Sequence, residues 1–402
     1  MSGFTIKNAL VYVDGALKKT DVIVNKGVIA AIGTGLERWG SVIDAGGLIL
    51  SPGFIDLHVH LREPGYEHKE TIASGTYAAA AGGYTTVCAM PNLSPVPDSL
   101  EALEAEKQII KRDARIRVFP YGAITLGQRG EKLADMKAMS NLVCGYSDDG
   151  RGVQSESLMR EAMETAAAEG LMIASHCEDE SREDDREKEY FEVQRDIRLS
   201  AETSCPLHIC HASTLESFNA VRRAKDEGLS VTCEVTPHHA LLCKEDIDFL
   251  DGRYVMNPPL RSREDMQAAV EALIDGTADA VATDHAPHSL EEKAAGANGV
   301  IGLETAFAVL HTKLVLTGKL PMTRLLELLT TGPASVLALP YGIKRGVSAD
   351  LALIDPNLEW VIGSSKFLSK GRSTPFEGWK VKGRVVATFL NGEKVYNDAG
   401  LL

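Results

Sequence analysis

The sequence of 402 residues predicts a (β/α)8 TIM barrel with a small β-sandwich domain built from both chain ends. Three observations predict it. Eight short apolar runs alternate with helical patterns over about 250 residues, the size of such a barrel. Polar residues of metal-ligand type sit at the C-terminal ends of those runs, where barrel enzymes keep their active sites. The two chain ends are rich in strand-like segments, and neither has enough of them to close a core alone.

Residues 4–50 read as short strands punctuated by Asp14-Gly15, Asn25-Lys26-Gly27 and Gly46-Gly47. Residues 346–402 look alike, with apolar Leu351 to Ile354, partly alternating Lys380 to Leu390, and a hairpin signal at Asn391-Gly392. The expected organisation is therefore 1–51 as one part of the sandwich, 52–345 as the barrel and 346–402 as the other part. The eight barrel runs are Gly53 to His60, Tyr84 to Asn92, Ile116 to Ile124, Leu142 to Asp149, Leu171 to Glu178, Pro206 to His211, Leu229 to His238 and Ala278 to His285. Helical patterns follow, among them Ser99 to Lys111, Ser155 to Glu169, Leu215 to Glu227 and Arg263 to Asp275. The charged run at 178–189 reads as a solvated loop or helix start.

Composition narrows the function classes. A hydrophobic content of 44% suits a soluble globular protein, and no apolar run reaches the ~18 residues of a spanning helix. Met1 to Gly15 lacks the basic start and small-residue cleavage site of a signal peptide, so the expected location is cytoplasmic, with no membrane partner. Seven scattered cysteines suit packed, reduced thiols. A formal net charge of −14 argues against nucleic acid as a partner. It also repels an anionic substrate, which would then need positive charge close at hand.

A metal held by His58-Val59-His60 would supply that charge in one form. Residues two apart on a strand point the same way, so both imidazoles face one space, as a metal grip requires. Collecting the other strand ends adds Asp149, His176, His211 and Asp284. Four histidines and two carboxylates suffice for two metals, and zinc takes this donor set where calcium and magnesium want oxygen.

Asp-Leu-His-Val-His-Leu-Arg-Glu-Pro at 56–64, Met-Pro-Asn at 90–92 and Thr-Asp-His-Ala-Pro-His-Ser-Leu-Glu-Glu-Lys at 283–293 resemble the signatures of class I dihydroorotases, in the amidohydrolase superfamily. The resemblance covers essentially the whole chain. It implies metal ligands at His58, His60, Asp149, His176, His211 and Asp284, holding two Zn2+ that share Asp149, with Asp148 the alternative bridge. It further implies substrate contacts from Arg62, Asn92, Asn257 and His288, and from Asn298 and Gly299 in a shortened 289–302 loop. His238 and His239 end the seventh run without an implied role.

The implied reaction is the reversible cyclisation of N-carbamoyl-L-aspartate to L-dihydroorotate in pyrimidine biosynthesis. Water activated between the metals attacks the ring amide carbonyl, and Asp284, the catalytic residue, carries the proton to the leaving nitrogen. A homodimer and an association with aspartate transcarbamoylase stay open. Allantoinases and hydantoinases share the His-x-His but bridge their metals with a carboxylated lysine on the fourth strand, where this chain has Tyr146-Ser147-Asp148-Asp149. A noncatalytic scaffold for aspartate transcarbamoylase is the remaining alternative. All six ligand positions hold residues able to bind metal, which disfavours it.

Overall fold

A computed structural model describes residues 3–248 and 251–398. Among these, eight parallel strand positions close into a barrel. They are Phe54–Val59, Tyr84–Ala89, Arg117–Pro120 continued by Gly122–Ala123, Gly145–Ser147, Met172–Ser175, Leu207–Ile209, Val231–Val235 and Ala280–Val281. The ring closes where Val59 bridges His285 and the His60 amide donates to the His285 carbonyl at 2.9 Å. All eight runs read from the sequence contain a barrel strand.

The helices follow their start signals. Leu100–Asp113, Glu156–Ala168, Leu215–Asp226 and Arg263–Asp275 are preceded by Ser99, Ser155, Thr214 and Ser262, whose hydroxyls accept from backbone amides of the first turn. Two readings are refined. The charged run feeds a helix, Asp185–Thr203, capped by the Asp184 carboxylate. It is not wholly solvated, because Glu189 is buried, accepts from Ser213 and Thr214 and pairs with Arg261 at 3.1 Å. His238 and His239 lie beyond the seventh strand, in a short helix Pro237–Leu241 that Pro237 opens at its first position.

Both chain ends contribute to one sheet of eight strands. Its hairpins turn at Asp14-Gly15, Lys26-Gly27 and Asn391-Gly392, all at positive φ as two-residue hairpins of the type I′ class require. Ile49–Pro52 joins the halves, pairing with Phe4–Val13 on one side and Leu351–Val361 on the other. Phe4 and Phe389 lie three strands apart, roughly 14 Å in a flat sheet. Their rings nevertheless stack at 5.2 Å, so the sheet curls back around a core of Ile6, Val11, Leu50, Leu353 and Phe389.

Gly53 passes directly from this sheet into the first barrel strand. Its amide donates to the Asp350 carbonyl at 2.9 Å, and any Cβ there would meet the Thr85 side chain at 2.2 Å. The close approach fixes the start of the strand that ends in His58 and His60.

Candidate metal and substrate site

The first strand is buried along its whole length, so its polar residues need partners. Asp56 finds them across the barrel seam, accepting from the Thr283 amide and hydroxyl and from the His58 amide. That ties the first strand to the segment carrying Asp284. Burial raises the Asp56 carboxyl to about 7 against those hydrogen bonds.

The six expected ligand residues converge. His58 Nε2 lies 3.3 Å from Asp149 Oδ1 and 3.6 Å from Asp284 Oδ1, and His60 Nε2 lies 3.4 Å from Asp149 Oδ2 and 3.1 Å from Asp284 Oδ1. On the other side of Asp149, Oδ1 is 3.4 Å from His176 Nδ1 and 3.3 Å from His211 Nε2. Asp149 thus faces both histidine pairs, and two groups able to hold a metal share it, His58–His60–Asp149 and Asp149–His176–His211. His58 Nε2 is buried with no hydrogen-bond partner, as a nitrogen kept free for a metal would be. Burial pushes both carboxyls up, but the surrounding histidines outweigh it and hold Asp149 and Asp284 well below the usual carboxylate range.

Asp148 points elsewhere. It accepts from the Ile124 and Thr125 amides and from the Thr125 hydroxyl, so it anchors the end of the third strand. Burial leaves its carboxyl raised to about 6 despite these bonds. Adjacent residues of an extended segment face opposite ways, which separates the two aspartates.

Each nitrogen that faces the cluster is set by what holds the other side of its ring. His58 Nδ1 donates to Glu234 Oε1 at 2.8 Å, which leaves Nε2 as the lone-pair nitrogen. His60 Nδ1 donates to Asn92 Oδ1 at 2.8 Å with the same result. His176 is reversed: its Nε2 donates to Glu178 at 3.2 Å and its Nδ1 faces the cluster. Glu234 does more than orient His58. Fully buried, it also accepts from His208 Nε2 at 3.0 Å and from the His211 amide at 3.1 Å. His211 has φ +33, a left-handed conformation unusual for a side chain with a Cβ, and Arg62 (+63) and Asp284 (+47) share that feature.

Sequence reasoning missed Glu234, Asp56 and Glu178. The available signal was a charged residue inside an otherwise apolar, buried run, as in Val231–Val235.

The expected substrate residues gather on the same side. A cavity of about 230 Å³ at the strand ends is lined by Arg62, Asn92, Asn257, His288, Asn298 and Gly299 together with His60, Asp149, His176, His211 and Asp284. No lysine lines it. Asn257 donates to Glu178 at 2.9 Å, and Asn92 holds His60, so both are shared between the cavity wall and the supports of the clustered histidines.

Arg62 is 8% exposed, and its guanidinium reaches only the Pro287 carbonyl at 3.3 Å and His288 Nε2 at 3.4 Å. The neighbouring acids are engaged elsewhere, Glu63 with the Ile72 amide and Glu67 with the Gly65 amide. Among the described residues no carboxylate forms a salt bridge with Arg62. Burial lowers its pKa, opposed by the charges of Asp284 and Asp149.

A family model described as dihydro-orotase-like matches residues 47–217. The chain is 48% identical over 409 residues to a dihydroorotase of Geobacillus sp. (strain WCH70), covering 95% of this chain and 96% of that protein. The chain belongs to the dihydroorotase family. A second dihydroorotase, from Bacillus caldolyticus, is 46% identical over 98% of this chain and 99% of its own. Among solved structures, an L-hydantoinase (dihydropyrimidinase) from Arthrobacter aurescens superimposes with a TM-score of 0.91 at 25% identity, covering 100% of this chain and 98% of that one. A D-hydantoinase gives 0.88 at 23% identity, covering 98% and 95%. The amidohydrolase barrel is common to both groups. The high full-length identity is to the dihydroorotases.

Proposed function

We propose that this member of the dihydroorotase family, a cyclic amide hydrolase, interconverts N-carbamoyl-L-aspartate and L-dihydroorotate in the cytoplasm, using two zinc ions held by His58, His60, Asp149, His176, His211 and Asp284. The reading divides the chain at 51/52 and 345/346 and takes the curled sheet as a β-sandwich. The donor set and the free, buried His58 Nε2 fit zinc. When bound, the metals would polarise the ring carbonyl and lower the pKa of water to about 7.

The protein's own groups do the rest. Asp284 is ionised, faces His58 and His60 and opens onto the cavity, so it can accept a proton there and return it to the ring nitrogen. Asn92 and Glu234 keep the two histidines of the first strand in the tautomer that presents Nε2. Glu178 and Asn257 do the corresponding work at His176.

The observation that carries the substrate is Arg62, a buried guanidinium on the cavity wall with which, among the described residues, no carboxylate forms a salt bridge. Such a charge is costly to bury unless an anion meets it, and its planar fork matches a carboxylate. His288 and Asn92 complete that wall.

Kinetics of the parent and Arg62→Met on dihydroorotate and on dihydrouracil, which lacks the carboxylate, test this. Losing a charge-assisted contact of this kind costs ~2–5 kcal/mol, roughly 30-fold to several thousand-fold in kcat/KM. Dihydroorotate turnover should fall by that factor, and any turnover of dihydrouracil should change much less. Equal losses on both would make Arg62 a support of the site and remove the argument for a carboxylate substrate.

A further inference from the structure

Lys293 closes the dihydroorotase-like signature at 283–293, yet it contributes nothing to the metal cluster and does not line the cavity. It sits in the short helix Leu290–Ala294 and is 6% exposed. Its ammonium donates to the carbonyls of Val255 at 2.8 Å, Ala297 at 2.7 Å and Gly299 at 2.8 Å. An ammonium has three protons, so every donor is used. Among the described residues no carboxylate forms a salt bridge with it, and burial lowers its pKa to about 8.

Those three carbonyls belong to two separate segments of the cavity wall. Val255 lies two residues before Asn257, while Ala297 and Gly299 flank Asn298. The Val255 oxygen is shared, because the Gly299 amide also donates to it at 3.1 Å. On its other side the loop is pressed against the strand-eight connection. A Cβ on Gly299, at φ +136, would stand 2.6 Å from the Ala286 carbonyl and 3.1 Å from the His288 ring. The cavity-facing pair Asn298-Gly299 is therefore held between the ammonium and residues 286–288.

Irregular backbone buried in this way must have its carbonyls satisfied. Water would do that and leave the loop free to move. A buried cation lacking a counter-ion is the more costly arrangement, offset here by three charge-assisted hydrogen bonds. It acts through the positions of Asn298, Gly299 and Asn257 and touches no reacting atom.

We propose that Lys293 is a positioning residue that clasps the 295–300 loop to the Val255–Asn257 segment, so that the substrate wall is formed before substrate arrives. The inference rests on the dihydroorotase reading for its kinetic consequence and stands apart from it for its structural one. Loss of the clasp should make substrate binding include the ordering of the loop, which appears in KM.

The test is Lys293→Ala, with amide hydrogen exchange and dihydroorotate kinetics measured with and without added ethylammonium. The expected result is at least tenfold faster exchange at 295–300 with the first barrel strand unchanged. KM should rise at least tenfold with kcat within threefold, and ethylammonium should restore part of both losses. An unchanged KM, or exchange at 295–300 that does not rise, overturns the proposal. If Lys293→Ala does not fold, exchange in the parent decides: slow exchange at 295–300 without substrate supports the clasp, and fast exchange there overturns it. Because the exchange readout needs no substrate, a parent that fails to turn over dihydroorotate would defeat the functional reading and leave the clasp standing.

Discussion

Glu234 joins the two halves of the His/Asp cluster, and the consequences of changing it follow from its three donors. Oε1 accepts from His58 Nδ1 and from the His211 amide, and Oε2 accepts from His208 Nε2. In Glu234→Gln the amide oxygen can keep the first two bonds. The new NH2 then faces His208, which can answer with a tautomer change, since its Nδ1 lies 2.8 Å from the Thr232 hydroxyl and can donate there. What is lost is the negative charge of Glu234, whose carboxyl His58 and His208 hold at about 2 despite its burial. Carboxylate partners of metal-bound histidines contribute 10–100-fold to metal affinity. The glutamine should fall at the low end, about tenfold or ~1.4 kcal/mol. Glu234→Ala removes both acceptor oxygens and with them all three hydrogen bonds, releases the left-handed His211, and should lose about 100-fold or more. Competition between the apoprotein and a chelator of known zinc affinity measures both. Zinc affinity unchanged in the alanine variant, with the fold intact, would refute the claim that Glu234 sets the ligand geometry.

Two further outcomes are expected. Asp149→Ala should lose metal and activity, because Asp149 alone faces both histidine pairs, while Asp148→Ala should lower Tm and retain metal; the reverse pattern, by elemental analysis and thermal melts, would assign the bridge to Asp148. Glu106 is 2% exposed with one carboxyl oxygen buried and unpartnered, and burial raises it to about 8. A raised carboxyl holds its proton in the folded state, so its contribution to stability falls as pH rises from about 4.3 to about 8, by up to ~1.4 kcal/mol per unit. Glu106→Gln should therefore gain on the parent in Tm across that window and no further above it, and a difference independent of pH would show that Glu106 is ionised throughout.

The barrel was legible because its strands are short apolar runs ending in residues that have no reason to sit there except function. The histidines that converge on Asp149 were legible from their places at the ends of those runs. Their supports were not. Glu234 serves His58 from 176 residues away, and Asp56 serves Thr283 across 227, so no local pattern links them. A buried carboxylate in a strand looks like any acid until its partners are placed.

Adjacent Asp148 and Asp149 were separable only by which way each faces, since both are buried at the end of one short strand. The charged run at 178–189 misled in part because Glu189 reads like its solvated neighbours. Its burial depends on Arg261 and Ser213, which arrive from other strand connections. The turn at Pro237 was visible in the sequence, and weighing it would have moved His238 and His239 off the seventh strand.

Dihydroorotase activity in this protein should depend on two metals sharing Asp149. The most direct test is to follow zinc content and dihydroorotate turnover together as zinc is stripped from the purified protein and restored. The expected result is about two zinc ions per chain at full activity, loss of turnover as they leave and recovery as both return. Full turnover of dihydroorotate by protein carrying one metal or none would contradict it.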